Sequence, residues 1–187
     1  MITEYLNEVK TICDSISIDS ITSLINAIEN IKSNNGRIFF LGVGGSAANA
    51  SHAVNDFRKI LDIECYAVTD NVSELTARIN DDGWPTSYAS WLKTSNISSN
   101  DAIFIFSVGG GSNTVSYNLG FAINVARDAK AKILSIVSRD GGYCKLYSDV
   151  CVMIPIVNKD RITPHAEEWQ AIIWHLIVTL IKAKQCG

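Results

Sequence analysis

Three stretches of the chain carry residues whose types and spacing could do chemistry. In the first, Gly42-Val43-Gly44-Gly45-Ser46-Ala47 follows the apolar run Ile38 to Leu41 and precedes small helix formers. This reads as strand, tight loop and helix. Such a loop leaves backbone N–H groups free at a helix N-terminus, where the helix dipole adds partial positive charge. Gly44, Gly45 and Ser46 are therefore a candidate anion cradle, and the helix they open carries His52 and Asp56 four residues apart on one face. The second stretch, Ser107-Val108-Gly109-Gly110-Gly111-Ser112, again follows an Ile/Phe run and precedes a helical segment. Ser107, Gly110, Gly111 and Ser112 are its candidate anion ligands. The third is the closing helix, with Glu167, Glu168 and His175.

The first loop also fits the dinucleotide pattern G-x-G-x-x-A, with Asp70 placed to bind a ribose, and on this stretch alone that reading and a purely structural loop stay open. The second loop favours a small phosphate, because a dinucleotide needs one such loop whereas two hydroxyl-bearing loops suit a terminal phosphate. No nucleotide cofactor is expected. Each residue has a plainer reading as well. Gly109 to Gly111 could merely turn the chain, His175 between Trp174 and Leu176 could be a satisfied core histidine, and His165 could cap its helix. Glu167 and Glu168 suit a first helical turn whatever their function. Asp81 and Asp82 are most simply turn residues.

The elements that must position these residues alternate. Helical spacing predicts helices over about Ile2 to Ser15 and Ser20 to Lys32, with Asp19 and Ser20 as a break and new cap. Strands are expected at Ile38 to Leu41, Glu64 to Val68, Ala102 to Ser107, Ile133 to Val137 and Val150 to Val157. Helices are expected at Ser46 to Ile60, Ser73 to Asn80, Ser87 to Lys93, Thr114 to Ala129 and His165 to Lys184, with Ser138 to Gly142 a polar turn. Nearly unbroken apolar strands between helices argue for a parallel sheet covered on both faces. The expected fold is a doubly wound, three-layer α/β sandwich of about five strands, one domain over residues 1–187, in which ligands sit at the carboxyl ends of the strands. The first two helices (residues 1–33) are an extension that packs on another subunit or on their own core.

Sixteen basic against nineteen acidic residues give a net charge of −3, and no basic cluster marks a nucleic-acid surface. Cys13, Cys65, Cys144, Cys151 and Cys186 lack CxxC spacing and read as reduced, mostly buried thiols. No apolar run approaches the ~20 residues of a bilayer span, and Glu4 and Glu8 do not fit a basic-then-apolar signal pattern, so no membrane association and a cytoplasmic location are expected.

Gly42 to Ser46, the helix bearing His52, the Asn80-Asp81-x-Gly83 turn, the Ser107 to Ser112 loop, Asp140-Gly141-Gly142 and a last helix bearing His175 together resemble the sugar isomerase (SIS) family over nearly the whole chain. Within it, the likeness is to the sedoheptulose 7-phosphate isomerase, or phosphoheptose isomerase, branch. The resemblance implies interconversion of a ketose phosphate and an aldose phosphate, a seven-carbon sugar feeding surface-carbohydrate synthesis, and a homotetramer with sites between subunits. It implies phosphate binding by the two loops, Asp56 and His175 as catalytic residues, and further substrate contacts at Asn80, Asp81 and Glu168. It also implies a zinc ion near them, for which His52, Asp56, Glu167 and His175 have suitable ligand chemistry. The isomerisation needs a base beside the carbonyl and a proton donor to its oxygen, which a carboxylate and a histidine can divide between them. The chain departs from the family where Asp56 replaces glutamate, Glu167 replaces glutamine, Val43 replaces asparagine and the second loop lacks two hydroxyls. These departures give weight to a second expectation, a non-catalytic sugar-phosphate-binding or interaction module of the same fold.

Overall fold

In a computed structural model describing residues 1–186, the side chain of Cys186 excepted, every expected strand pairs with another. β1 (Ile38–Leu41), β2 (Cys65–Ala67), β3 (Ala102–Phe106), β4 (Lys132–Val137) and β5 (Val150–Met153) form one parallel sheet in the order β2-β1-β3-β4-β5. Ile38 aligns with Cys65 on one side and with Ala102 on the other, so the chain moves outward in both directions from β1. Successive side chains alternate across the sheet. Phe40, Phe104, Phe106 and Ile136 enter one core with helices α2 (Ile18–Ser33), α3 (Gly45–Leu61) and α8 (Ile162–Cys186). Phe39, Leu41, Ile103 and Ile105 enter the other with α5 (Ser87–Thr94) and α6 (Tyr117–Asp128). Burial on both faces is why these strands are unbroken apolar runs, and the doubly wound three-layer sandwich is the observed architecture.

Aromatic contacts fix α3 and α8 to the sheet. Phe40 meets Phe57 of α3 edge-on at 5.1 Å between ring centroids, and Phe106 stacks on Trp174 of α8 at 5.9 Å. Asn49 of α3 donates to the Glu167 carbonyl and the Gln170 side-chain oxygen at 2.9 and 3.0 Å. Removal of a buried ring of this kind costs about 3–5 kcal/mol, so the α3–α8 geometry is strongly determined.

Several boundaries differ from those the sequence suggested. Ser17, not Ser20, caps α2, accepting the Ser20 N–H at 3.2 Å. Helix α4 (Val72–Asp82) runs on past Asn80 and ends at Gly83, so Asn80, Asp81 and Asp82 are helical rather than turn residues. Helix α6 starts at Tyr117 because the Ser112 hydroxyl accepts the Thr114 and Val115 N–H groups and holds the preceding residues as a loop. A short helix, α7 (Gly142–Tyr147), follows what reads as a simple polar turn. β5 stops before Pro155, which has no N–H for the ladder. Helix α8 begins at Ile162, with Pro164 in its first turn, where the missing N–H would have had no helical partner.

Helix α1 (Ile2–Ser15) packs on its own chain through Ile12, Val9 and Ile16, and leaves Ile2 and Leu6 exposed. Glu8 anchors it, accepting from Asn158, Arg161 and His165 at 2.8, 2.7 and 2.8 Å. Cys65 and Cys144 are buried, Cys151 is half-buried and Cys13 is exposed; the side chain of Cys186 lies outside the described residues. Burial pushes the Cys65 thiol up to about 12 and raises that of Cys144 too, so neither is a nucleophile. Among the described residues no helix is long and apolar enough to cross a membrane.

Candidate active site

The strand order reverses between β1 and β3, and the loops that follow these two strands border the crevice where α/β sheets bind ligands. A cavity of about 680 Å³ opens there, lined by Val43 and Ser46 of the first loop and by Ser107, Gly109, Gly111 and Ser112 of the second. Gly44, the α3 N-cap, has φ +63°, and Ser46 in the first turn is buried with no protein partner for its hydroxyl among the described residues. Ser46 is thus free to donate to an anion beside an uncapped helix N-terminus.

In the second loop the hydroxyls first serve the loop itself. Ser107 Oγ accepts the Gly110 N–H at 3.0 Å, and Ser112 Oγ accepts two further N–H groups. Ser107 keeps its own O–H for a ligand, whereas the Ser112 hydroxyl also reaches the Val115 carbonyl at 3.5 Å and the Thr114 hydroxyl at 3.3 Å. Gly110 adopts φ +72° and lies so close to the Gly141 carbonyl that a Cβ would collide with it. The first N–H groups of α7 close the contact, with Tyr143 donating to the Gly111 carbonyl and Cys144 to the Gly110 carbonyl, both at 3.0 Å. The glycine run therefore has a packing role as well as a place in the cavity wall.

Asp56, His52 and His175 come together on the α3–α8 face, with potential ligand atoms all within 4.8 Å of one another. The Asp56 side chain is 11% exposed and the histidines 57% and 51%, so the carboxylate forms the floor of an open group. Asp56 Oδ2 lies 3.4 Å from His175 Nε2 and 3.9 Å from His52 Nε2, and it accepts the Trp174 indole N–H at 3.2 Å. Oδ1 accepts from the Asn55 amide at 3.0 Å. His175 Nδ1 donates to the Ala171 carbonyl at 2.8 Å, which fixes the ring and leaves Nε2 facing Asp56. Two imidazoles and a carboxylate leaving one side open are a donor set that fits a catalytic zinc.

The other expected site residues lie elsewhere. Glu167 is outside the His/Asp group; its carboxylate rests against Gly45, where a Cβ would collide with it, at the N-terminus of α3. Glu168 accepts the Tyr5 hydroxyl and lies 3.4 Å from His165 Nδ1, tied to the α1 contact. Asn80 and Asp81 are exposed at the end of α4, bonded to each other at 2.8 Å, and neither lines the cavity. The first loop and the His52–Asp56 pair share helix α3, yet none of His52, Asp56 and His175 lines the cavity.

Three residues absent from the sequence-based site belong to its surroundings. Arg139 and Lys159 line the cavity, and Trp174 holds Asp56. The signal for Arg139 was its position directly after β4, equivalent to the glycine loops that follow β1 and β3. Trp174 carried no signal beyond adjacency to His175.

The chain is similar to known proteins over most of its length. It is 29% identical over 168 residues to a phosphoheptose isomerase of Helicobacter pylori (strain ATCC 700392 / 26695), covering 87% of this chain and 81% of the relative. It is 30% identical over 151 residues to the phosphoheptose isomerase of Solidesulfovibrio magneticus, covering 78% and 69%. The phosphoheptose isomerase structure from Neisseria gonorrhoeae superposes with a TM-score of 0.84 at 22% identity over 97% of this chain and 95% of that one, a likeness of fold. Residues 4–138 match the SIS domain, and with the parallel sheet and its two crevice loops this places the chain in the SIS-domain family.

Proposed function

We propose that the protein is an aldose–ketose isomerase that converts sedoheptulose 7-phosphate, or a closely related ketose phosphate, to the aldose phosphate, in the cytoplasm and as a step toward surface carbohydrate. The observation that carries this reading is the Asp56 carboxylate fixed by Trp174 and faced by His175 Nε2. A fixed carboxylate is suited to remove the proton beside a carbonyl, and the imidazole to carry a proton to and from the carbonyl oxygen. Relatives of the same name at 29–30% identity support the substrate class. His52, Asp56 and His175 would hold a zinc ion, which when bound supplies Lewis-acid polarisation of the substrate oxygens.

The distances favour a site built from more than one copy of the chain. Ser46 and Asp56 are ten residues apart on α3, about 15 Å along the axis at 1.5 Å per residue. Seven bonds separate C2 of the ketose from its phosphorus, a reach of about 8 Å at the rise of an extended chain. Measured along α3, Ser46 and Asp56 of one chain stand farther apart than the substrate's own reach. We infer that the cavity of one protomer is completed by the His52–Asp56–His175 group of another, in a homo-oligomer that the family resemblance makes a tetramer. Ile172, Leu176 and Leu180 form an exposed stripe along α8 on both sides of His175, suited to such a contact.

The test is a coupled assay with sedoheptulose 7-phosphate. His175→Ala should abolish turnover and leave the fold intact; unchanged turnover would remove the assignment. The second reading, a non-catalytic sugar-phosphate-binding module, is favoured by the shorter carboxylate at position 56 and by Val108 in place of a hydroxyl donor. Binding of several ketose phosphates by the wild type without turnover of any would select it.

A further inference from the structure

The cavity wall holds a cation that the serine and glycine ligands leave unexplained. Arg139 follows β4 with φ +53°, a left-handed conformation that a non-glycine residue adopts at a cost. The surroundings impose it. Ser138 N–H donates to the Val108 carbonyl, Gly141 N–H to the Ser138 carbonyl, and Ser138 Oγ to the Ile154 carbonyl, at 3.0, 3.0 and 2.9 Å. The turn is thereby pinned to the second glycine loop on one side and to the segment after β5 on the other. The Arg139 side chain passes over Gly109, whose Cβ position lies 3.6 Å from Arg139 Cδ, and lines the cavity.

Among the described residues its guanidinium has no hydrogen bond or ion pair. Of the other arginines, Arg37, Arg78 and Arg161 pair with carboxylates and Arg58 donates to the Cys65 carbonyl, while Arg127, also without such a bond among the described residues, is covered by the Tyr147 ring. The neighbouring carboxylate, Asp140, also lines the cavity; it accepts the Gly142 N–H at 3.2 Å and forms no ion pair with Arg139 among the described residues. An unpaired guanidinium held on strained backbone at a cavity is arranged for an external anion.

The rest of the cavity points the same way. Val108 offers no donor, and the Ser107 and Ser112 hydroxyls are partly committed to the loop. At the first loop the Glu167 carboxylate already sits against Gly45 and opposes a dianion there. We infer that Arg139 binds the substrate phosphate directly, seating it on the second loop and the turn after β4, with Lys159 of the same cavity as a second cation. The inference rests on the sugar-phosphate reading and assigns the charge that fixes the phosphate end.

Arg139→Ala and Arg139→Gly test it, the glycine variant relieving the left-handed backbone so that folding is preserved. Both should raise KM for sedoheptulose 7-phosphate about 10- to 100-fold with kcat within about threefold, a loss of uniform binding. The stabilisation of the protein against heat by inorganic phosphate should weaken by a similar factor. Arg139→Lys should recover part of both, since a point charge replaces the fork. Wild-type KM and phosphate affinity in the glycine variant, a fall in kcat alone, or a wild-type protein that millimolar phosphate does not stabilise would each overturn the inference. If the wild type turns over no ketose phosphate yet binds phosphate in an Arg139-dependent way, the isomerase reading fails and the assignment of Arg139 stands.

Discussion

The indole N–H of Trp174 donates to Asp56 Oδ2 at 3.2 Å while the same ring stacks on Phe106 of the sheet. One buried side chain therefore transmits the position of the core to the carboxylate that is proposed to move the proton. Trp174 is 1% exposed, so its N–H must find an acceptor within the protein, and Asp56 is that acceptor.

Trp174→Phe keeps an aromatic ring for Phe106 and removes only the donor. Loss of a hydrogen bond that orients a functional carboxylate should lower kcat or zinc affinity by about 10- to 100-fold, with a change in melting temperature of a few degrees. Steady-state kinetics and zinc titration of the variant check this. Unchanged values for both would show that Asp56 is positioned without the indole.

A site shared between protomers predicts complementation. Asp56→Asn should be inactive in turnover, and Arg139→Gly nearly so at low substrate concentration. Mixed under conditions that exchange subunits, the two should regain activity, because some interfaces then join an intact cavity to an intact carboxylate. Activity that stays at the sum of the separate variants would place both halves of the site in one chain.

The α1 anchor should be sensitive to acid. The Asn158 amide, His165 and then Arg161 hold the Glu8 carboxyl down at about 2, against the opposing effect of burial. Because the folded value lies below the ordinary carboxylate value, Glu8 contributes stability that is fully present above about pH 4.5 and is lost as the pH falls toward 2. Glu8→Gln should thus melt below the wild type at neutral pH, and the gap should close as the pH is lowered through that window. Melting temperatures of both proteins between pH 7 and pH 2 provide the measurement.

The sequence by itself determined the layers and the loops. Short unbroken apolar runs such as Ile103 to Phe106, bounded by turn residues, suit a sheet buried on both faces, and the glycine clusters after β1 and β3 suit turns at its carboxyl edge, so both were legible from local pattern. The i, i+4 spacing put His52 and Asp56 on one helical face for the same local reason. Tertiary structure decided what depends on contacts distant in sequence. It brought His175 to Asp56 across 119 positions while leaving Glu167 at Gly45, although both residues lie on α8, because helical rotation and the α3–α8 packing select which side chains meet. It also placed Arg139 in the cavity, through a pinned left-handed turn that no propensity announces, and it left His52, Asp56 and His175 off the cavity lining. Helical periodicity assigns residues to a face, but only the packed fold sets which side chains share a cavity and how far apart they stand along it.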